Sequence, residues 1–174
     1  MQHLFFFIKL FILLLLFIGC SVKIPTPQEN RENIQNLTQM LLKTSKYIDK
    51  NEAEDLAKSS VYYAQKLAHD YNVISPPLWQ NTLVNLGLKK RGLCYEWAND
   101  LWVYLKAKNY KSLRLHYVGA DVGSYFEHNA LSVSAKFEDI NNSILLDAWR
   151  DSGNLYFIEL NKDKKYDWKE RLNL

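Results

Sequence analysis

The spacing of apolar residues changes period part-way along this chain. From Asn30 to Ile48, Ile34, Leu37, Leu41 and Ile48 follow helical spacing; from Ala53 to Tyr71, Leu56, Ala57, Val61, Ala64, Leu67, Ala68 and Tyr71 mark a second helix more fully. Asn51, three residues ahead of Glu54, reads as the cap of that second helix. Pro76 and Pro77 interrupt regular structure, Leu78 to Leu88 predict a short helix, and the basic turn Lys89-Lys90-Arg91-Gly92 follows. A third long helix is predicted from Leu93 or Cys94 to Lys108. Cys94, Trp97, Ala98, Leu101 and Leu105 share one of its faces, which puts Cys94 at the inward edge of the first turn.

Beyond that helix the period falls to two. Leu113, Leu115 and Tyr117 alternate with Arg114, His116 and Val118 in a strand ending near Gly119, and a loop from Ala120 to Phe126 follows. HNALSV (His128 to Val133) and NSILLD (Asn142 to Asp147) read as two strands joined by Ser134 to Asn141. A plain antiparallel hairpin between them pairs His128 with Asp147, Ala130 with Leu145 and Ser132 with Ser143, turning between Phe137 and Glu138. That register sets the imidazole opposite the carboxylate on one face. A turn around Asn141-Asn142 separates them. The tail from Asn161 to Leu174 mixes both signs of charge and reads as solvated surface.

The N-terminus has a different character. Leu4 to Gly19 is apolar apart from Lys9, and the uninterrupted run Leu10 to Ile18 has the length of a signal-peptide core, short for a bilayer span. It ends in Phe17-Ile18-Gly19-Cys20, which resembles the bacterial lipoprotein signal, although Phe17 stands where Leu is usual. The resemblance implies a signal peptide over residues 1–19, acylation of Cys20, and a lipid bilayer as the anchoring partner in the cell envelope. Residues 20–29, with Pro25 and Pro27, read as a tether of about 30 Å at most. Residues 30–174 then form one domain.

Composition narrows the function classes. The net charge of +3 falls to +2 without Lys9, and there is no dense basic patch, so nucleic acid is not expected as a partner. Paired metal-ligand spacings and Gly-rich phosphate loops are missing, so neither metal, nucleotide nor any other cofactor is expected. An aromatic content of 14% fits a core packed with large side chains as readily as an aromatic groove.

The chemistry then rests on three residues. Apart from Cys20, Cys94 is the one cysteine in the chain. The order Cys94, His128, Asp147 supplies a thiol nucleophile, an imidazole partner and an orienting carboxylate. The unpaired amides at a helix start favour an anion, and Gly92 lets backbone approach a substrate closely. A buried, inert cysteine fits Cys94 alone equally well. An aspartate in ILLDAW needs a partner once buried; His128 is the natural one and Arg150 the competitor. His69 and His116 read as structural. For an oxyanion hole, the Cys94 amide is one donor, with Gln80 or the indole of Trp79 as side-chain candidates.

The stretch RGLCYEWANDLWVYLKAKNYKSLRLHYV, followed by His128 and Asp147, resembles the core of the bacterial transglutaminase-like superfamily, over roughly residues 76 to 158. Asn129-Ala130 and Ala148-Trp149 differ from the residues common after the family's histidine and aspartate. The resemblance implies an α+β fold of the papain-like kind, with the cysteine helix packed on an antiparallel β-sheet. It also implies thiol chemistry on amides, with Cys94 as nucleophile, His128 as base and acid, and Asp147 orienting the ring. Two functions are therefore expected. One is a lipoprotein that hydrolyses, or transfers acyl groups from, amides of a protein, peptide or cell-wall substrate; the other is an inactive binding or envelope-structural lipoprotein of the same fold.

Overall fold

A computed structural model describes residues 22–171, so the expected signal peptide (residues 1–19) and the expected acylation at Cys20 lie outside the described residues. The first helix, α1 (Pro27–Thr44), starts three residues earlier than the apolar spacing indicates. Thr26 and Glu29 form a reciprocal cap: the Glu29 amide donates to Thr26 Oγ1 at 3.2 Å, and the Thr26 amide donates to Glu29 Oε2 at 2.8 Å. Pro27, at the first helical position, lacks a donor that would have gone unused. Residues 27–29 thus belong to the helix rather than to a tether. Pro25 is buried, and residues 22–25 line a cavity against the next helix, so this part of the chain is docked.

That helix, α2 (Lys50–Asp70), is capped by Asp49, whose side chain accepts from the Glu52 amide, two residues before the expected Asn51 cap. The short α3 (Pro77–Asn85) begins at the second proline, which opens the helix instead of stopping it. Helix α4 (Cys94–Lys106) starts at the cysteine, as the stripe predicts. Its face Cys94, Trp97, Ala98, Leu101 and Leu105 packs into the main core with Leu37, Leu41, Leu56 and Val61 of α1 and α2.

The strands β1 (Leu113–Ala120), β2 (His128–Ala135), β3 (Ile144–Asp147), β4 (Tyr156–Glu159) and β5 (Lys169–Glu170) form one antiparallel sheet in the order β4-β3-β2-β1-β5. The fold is therefore α+β, with four helices and five strands among the described residues. Odd-numbered residues of β1 and β2 (Leu113, Tyr117, Leu131, Val133) and even ones of β3 (Ile144, Leu146) join the helix-side core. The opposite set, Val118, Ala120, Ala130 and Leu145, makes a second, smaller core with Leu160 and Trp168.

The β2–β3 register differs from the simple hairpin. Ser132 pairs with Leu145 and Val133 with Ile144, a shift of two residues from the expected pairing. The connection absorbs the difference: β2 runs on to Ala135, and Ile140–Asn142 forms a 3-10 turn capped by Asp139, so β3 begins only at Ile144. A shift of two preserves which face each side chain takes. His128 and Asp147 remain on one face but as diagonal neighbours, not direct opposites.

The C-terminal stretch also departs from expectation. After β4 at one edge, the chain crosses the face of the sheet away from the helices and pairs as β5 beside β1 at the far edge. Trp168 is buried on the way. This segment is the cover of the second core, not a solvated tail. Among the described residues, no helix is long and apolar enough to cross a membrane.

Candidate active site

The loop before α4 is held from three sides. Glu96, in the first turn, accepts from the amides of Gly92 (2.7 Å) and Leu93 (2.9 Å). Arg91 reaches Asp100 through two nitrogens at 2.9 and 3.1 Å, and the Trp97 indole donates to the Gly92 carbonyl at 3.0 Å. Gly92 has φ of +131°, and a Cβ there would stand 2.6 Å from Cγ of Gln80, so only glycine fits. Cys94 is thereby fixed as the first helical residue, where its own amide has no intrahelical acceptor.

Gln80 does its work behind this loop. It is 1% exposed, donates from Nε2 to the Arg91 carbonyl (2.8 Å) and accepts from the Ile74 amide (3.2 Å). Trp79 is half-exposed. Neither residue lines the cavity at Cys94, so the geometry assigns them no part in an oxyanion hole. The next residue, Asn81, does line it. The Trp149 indole N–H donates to Asn81 Oδ1 at 3.0 Å; because an indole can only donate, the amide orientation is fixed and the NH₂ group is the one left for the cavity.

His128 opens β2 and Asp147 ends β3, and both are almost fully buried. His128 Nε2 lies 2.7 Å from Asp147 Oδ2. Asp147 is satisfied on every side: Oδ1 accepts from the amides of Trp149 (3.1 Å) and Arg150 (3.0 Å), and Oδ2 also accepts from Arg150 Nε (3.0 Å). The competing partners His128 and Arg150 therefore both bind, on the same oxygen. Burial alone would push the imidazole down. The hydrogen bond and charge of Asp147, with smaller contributions from Cys94, outweigh it and raise His128 to about 9. Burial likewise lifts the Asp147 carboxyl, but His128 and Arg150 overcome it and hold the group below the usual carboxylate range. With Nε2 committed to Asp147, Nδ1 is the ring nitrogen left for the thiol.

Cys94 and His128 open onto the same cavity, of about 780 Å³. The Cys94 thiol, 9% exposed, donates to the Glu127 carbonyl at 3.6 Å. The Glu127 carboxylate accepts from the Gly123 amide (2.8 Å), Asn129 and Arg171, which anchors the loop between β1 and β2. At the tip of that loop Tyr125 and Phe126 are 90% and 76% exposed and form part of the cavity rim. Rings of Trp149, Tyr166 and Trp168 pack around His128 with centroids 4.7, 4.7 and 5.3 Å away.

His69 and His116, expected to be structural, are elsewhere. His116 is buried on β1 between Glu170 (2.6 Å) and Ser134 (2.8 Å), and His69 is exposed on α2. Among the described residues, no cluster of three His, Cys, Asp or Glu side chains is arranged to hold a metal ion.

Asn81, Trp149, Tyr166 and Trp168 were not singled out as site residues from sequence. Only Trp149 carried a local signal, two residues after Asp147; the rest are brought in by the fold. No protein-family model, curated protein or solved structure matches this chain.

Proposed function

We propose that the protein is an exported, lipid-anchored cysteine hydrolase or acyltransferase of transglutaminase-like architecture that acts on amide bonds. The observation carrying this reading is that Cys94 and His128 line one cavity while Asp147 binds His128 from behind. With His128 at about 9, the ring is largely an imidazolium at neutral pH, which gives a leaving amine a proton donor beside Cys94.

The Cys94 sulfur attacks the amide carbonyl carbon; a C–S bond forms as the carbonyl π pair moves onto oxygen. The Cys94 amide and the Asn81 NH₂ are the donors for that oxyanion. Collapse of the intermediate breaks the C–N bond, and the leaving amine takes a proton from His128. Water, deprotonated by His128, then cleaves the thioester to release the acid and regenerate the thiolate. An amine in place of water gives acyl transfer. Asp147 keeps the ring oriented and supports its charge through both steps. The apolar and aromatic rim at Leu78, Tyr95, Tyr125 and Phe126 suits a peptide or cell-wall fragment with an apolar group beside the scissile amide. Acylation of Cys20, proposed from the Phe17-Ile18-Gly19-Cys20 motif, would hold the domain at the envelope membrane.

A second reading, a binding lipoprotein without activity, is favoured by one contact: the thiol donates to the Glu127 carbonyl while only 9% exposed. Iodoacetamide separates the two. The enzyme reading requires alkylation of Cys94 in the folded protein at pH 7, slowed at least about tenfold in His128→Ala. A thiol that stays unmodified until the protein is unfolded leaves only the binding reading.

A further inference from the structure

The segment Asp163–Trp168 crosses from the β4 edge of the sheet to the β5 edge and sets the rings of Tyr166 and Trp168 against His128. Arg150 ties it down. The guanidinium donates from Nε to Asp147 Oδ2 at 3.0 Å and from Nη2 to Asp163 Oδ2 at 2.7 Å. Its plane lies over the ring of Tyr156, 4.1 Å from the centroid, and faces Tyr166 at 5.0 Å. Asp163 Oδ2 also accepts from the Trp168 indole at 2.9 Å, and Oδ1 from the Lys165 amide at 3.1 Å. The side chains of Arg150 and Asp163 are 11% and 3% exposed, so this is a buried bridge between two carboxylates rather than a surface ion pair.

We infer that Arg150 and Asp163 are positioning residues that latch the 163–168 strap, with Tyr166 and Trp168, as a roof over His128, and that this closed latch sets the ionisation and orientation of the imidazole. The charged and titratable groups that act on the ring are Asp147 from β3 and Cys94 from α4, while the strap sets the Tyr166 ring against it; Glu127, its chain neighbour, is engaged with Arg171 and Asn129. Arg150 binds Asp147 and adds its own positive charge beside the ring. Asp163→Asn keeps a polar side chain of the same size but removes one negative charge from this cluster. Arg150 then loses half of its counter-charge and presents more positive potential to the imidazolium, which disfavours the charged ring. Release of the strap acts in both directions, since water that screens the Asp147–His128 pair also relieves the burial that pushes the imidazole down.

This inference deepens the thiol-enzyme reading and depends on it only for the activity readout; the titration of His128 is measurable in any case. In the full-length protein, the His128 side-chain NMR resonances are followed through pH 6–10 for wild type, Asp163→Asn and Asp163→Glu. The expected result is a titration midpoint about one pH unit lower in Asp163→Asn, with most of the shift restored in Asp163→Glu. Iodoacetamide alkylation between the two midpoints falls in parallel, about five- to tenfold. Should Asp163→Asn fail to accumulate, Arg150→Gln, which removes the positive charge beside Asp147, carries the test with the opposite sign, a raised His128 midpoint. A lower melting temperature with an unmoved His128 midpoint assigns the bridge to stability alone and overturns the inference. An unreactive Cys94 together with a shifted midpoint leaves the latch standing and removes the enzyme reading instead.

Discussion

The raised value of His128 makes a definite demand on stability. A buried imidazole whose folded value is about 9, against 6.5 for the free group, stabilises the fold when protonated. The contribution is complete below the unfolded value and is lost as pH rises through the folded one, so the window is pH 6.5 to 9. A difference of about 2.5 units corresponds to about 3 kcal/mol, shared among the Asp147 hydrogen bond, the Asp147 charge and the Cys94 side chain. Few other groups interfere, since the lysines and tyrosines with resolved shifts move further upward, out of that range. Urea unfolding of the full chain at pH 6, 7, 8 and 9 measures the effect. With a denaturant slope of about 2 kcal/mol per molar, the midpoint is expected to fall by about 1.5 M across the series. His128→Gln keeps a donor for Asp147 but cannot titrate, and its midpoint should stay level over the same span. A flat wild-type profile, or an equal decline in His128→Gln, would refute the claim that the imidazolium–carboxylate pair is held charged in the fold.

Other expectations follow from neighbouring contacts. Asn81→Ala is expected to slow acylation of Cys94 by p-nitrophenyl acetate about 10- to 100-fold while leaving iodoacetamide alkylation unchanged, because only the first reaction builds an oxyanion; equal effects on both would remove Asn81 from that role. Gly92→Ala should lose about 2–3 kcal/mol in urea unfolding, since it combines a φ of +131° with a contact at 2.6 Å to a buried Gln80 that is held at both ends. A loss below about 0.5 kcal/mol would mean the loop relaxes freely. Glu96→Ala strips the acceptor from the Gly92 and Leu93 amides and is expected to cost about 1–2 kcal/mol and to slow alkylation of Cys94; unchanged alkylation would separate the cap from the thiol. Cys20→Ser should move the protein from the membrane fraction to the soluble one and abolish fatty-acid labelling, and continued labelling would exclude that acylation site.

Much of the fold was legible because its signals are local. The Cys94–Leu105 stripe located α4, and the alternation from Leu113 onward located β1 and its change of period. Helix starts depart from the apolar spacing where capping outranks it: the Thr26/Glu29 box with Pro27 inside it is a stronger start signal than Ile34, and the Asp49 cap lies two residues ahead of Asn51. A plain hairpin has no room for the 3-10 turn capped by Asp139, which moves the pairing by two residues. At the site, that Cys94, His128 and Asp147 come together is legible because a thiol, an imidazole and a carboxylate are unusual residues at element edges. The surrounding shell is not. Asn81, Tyr166 and Trp168 reach His128 or the cavity from 47, 38 and 40 positions away along the chain, and the ordinary surface composition after Asn161 gives no sign that residues 163–170 double back over the sheet.

The two-residue displacement between β2 and β3 has an evolutionary corollary. Side chains on a strand alternate, so lengthening or shortening the 136–143 connection by a pair of residues slides one strand past its neighbour while imidazole and carboxylate still share a side. Removing a single residue would turn Asp147 toward the helices and strand a charge among leucines. Relatives of this chain should therefore vary that connection in even steps, and an odd step should coincide with loss of the histidine or the aspartate.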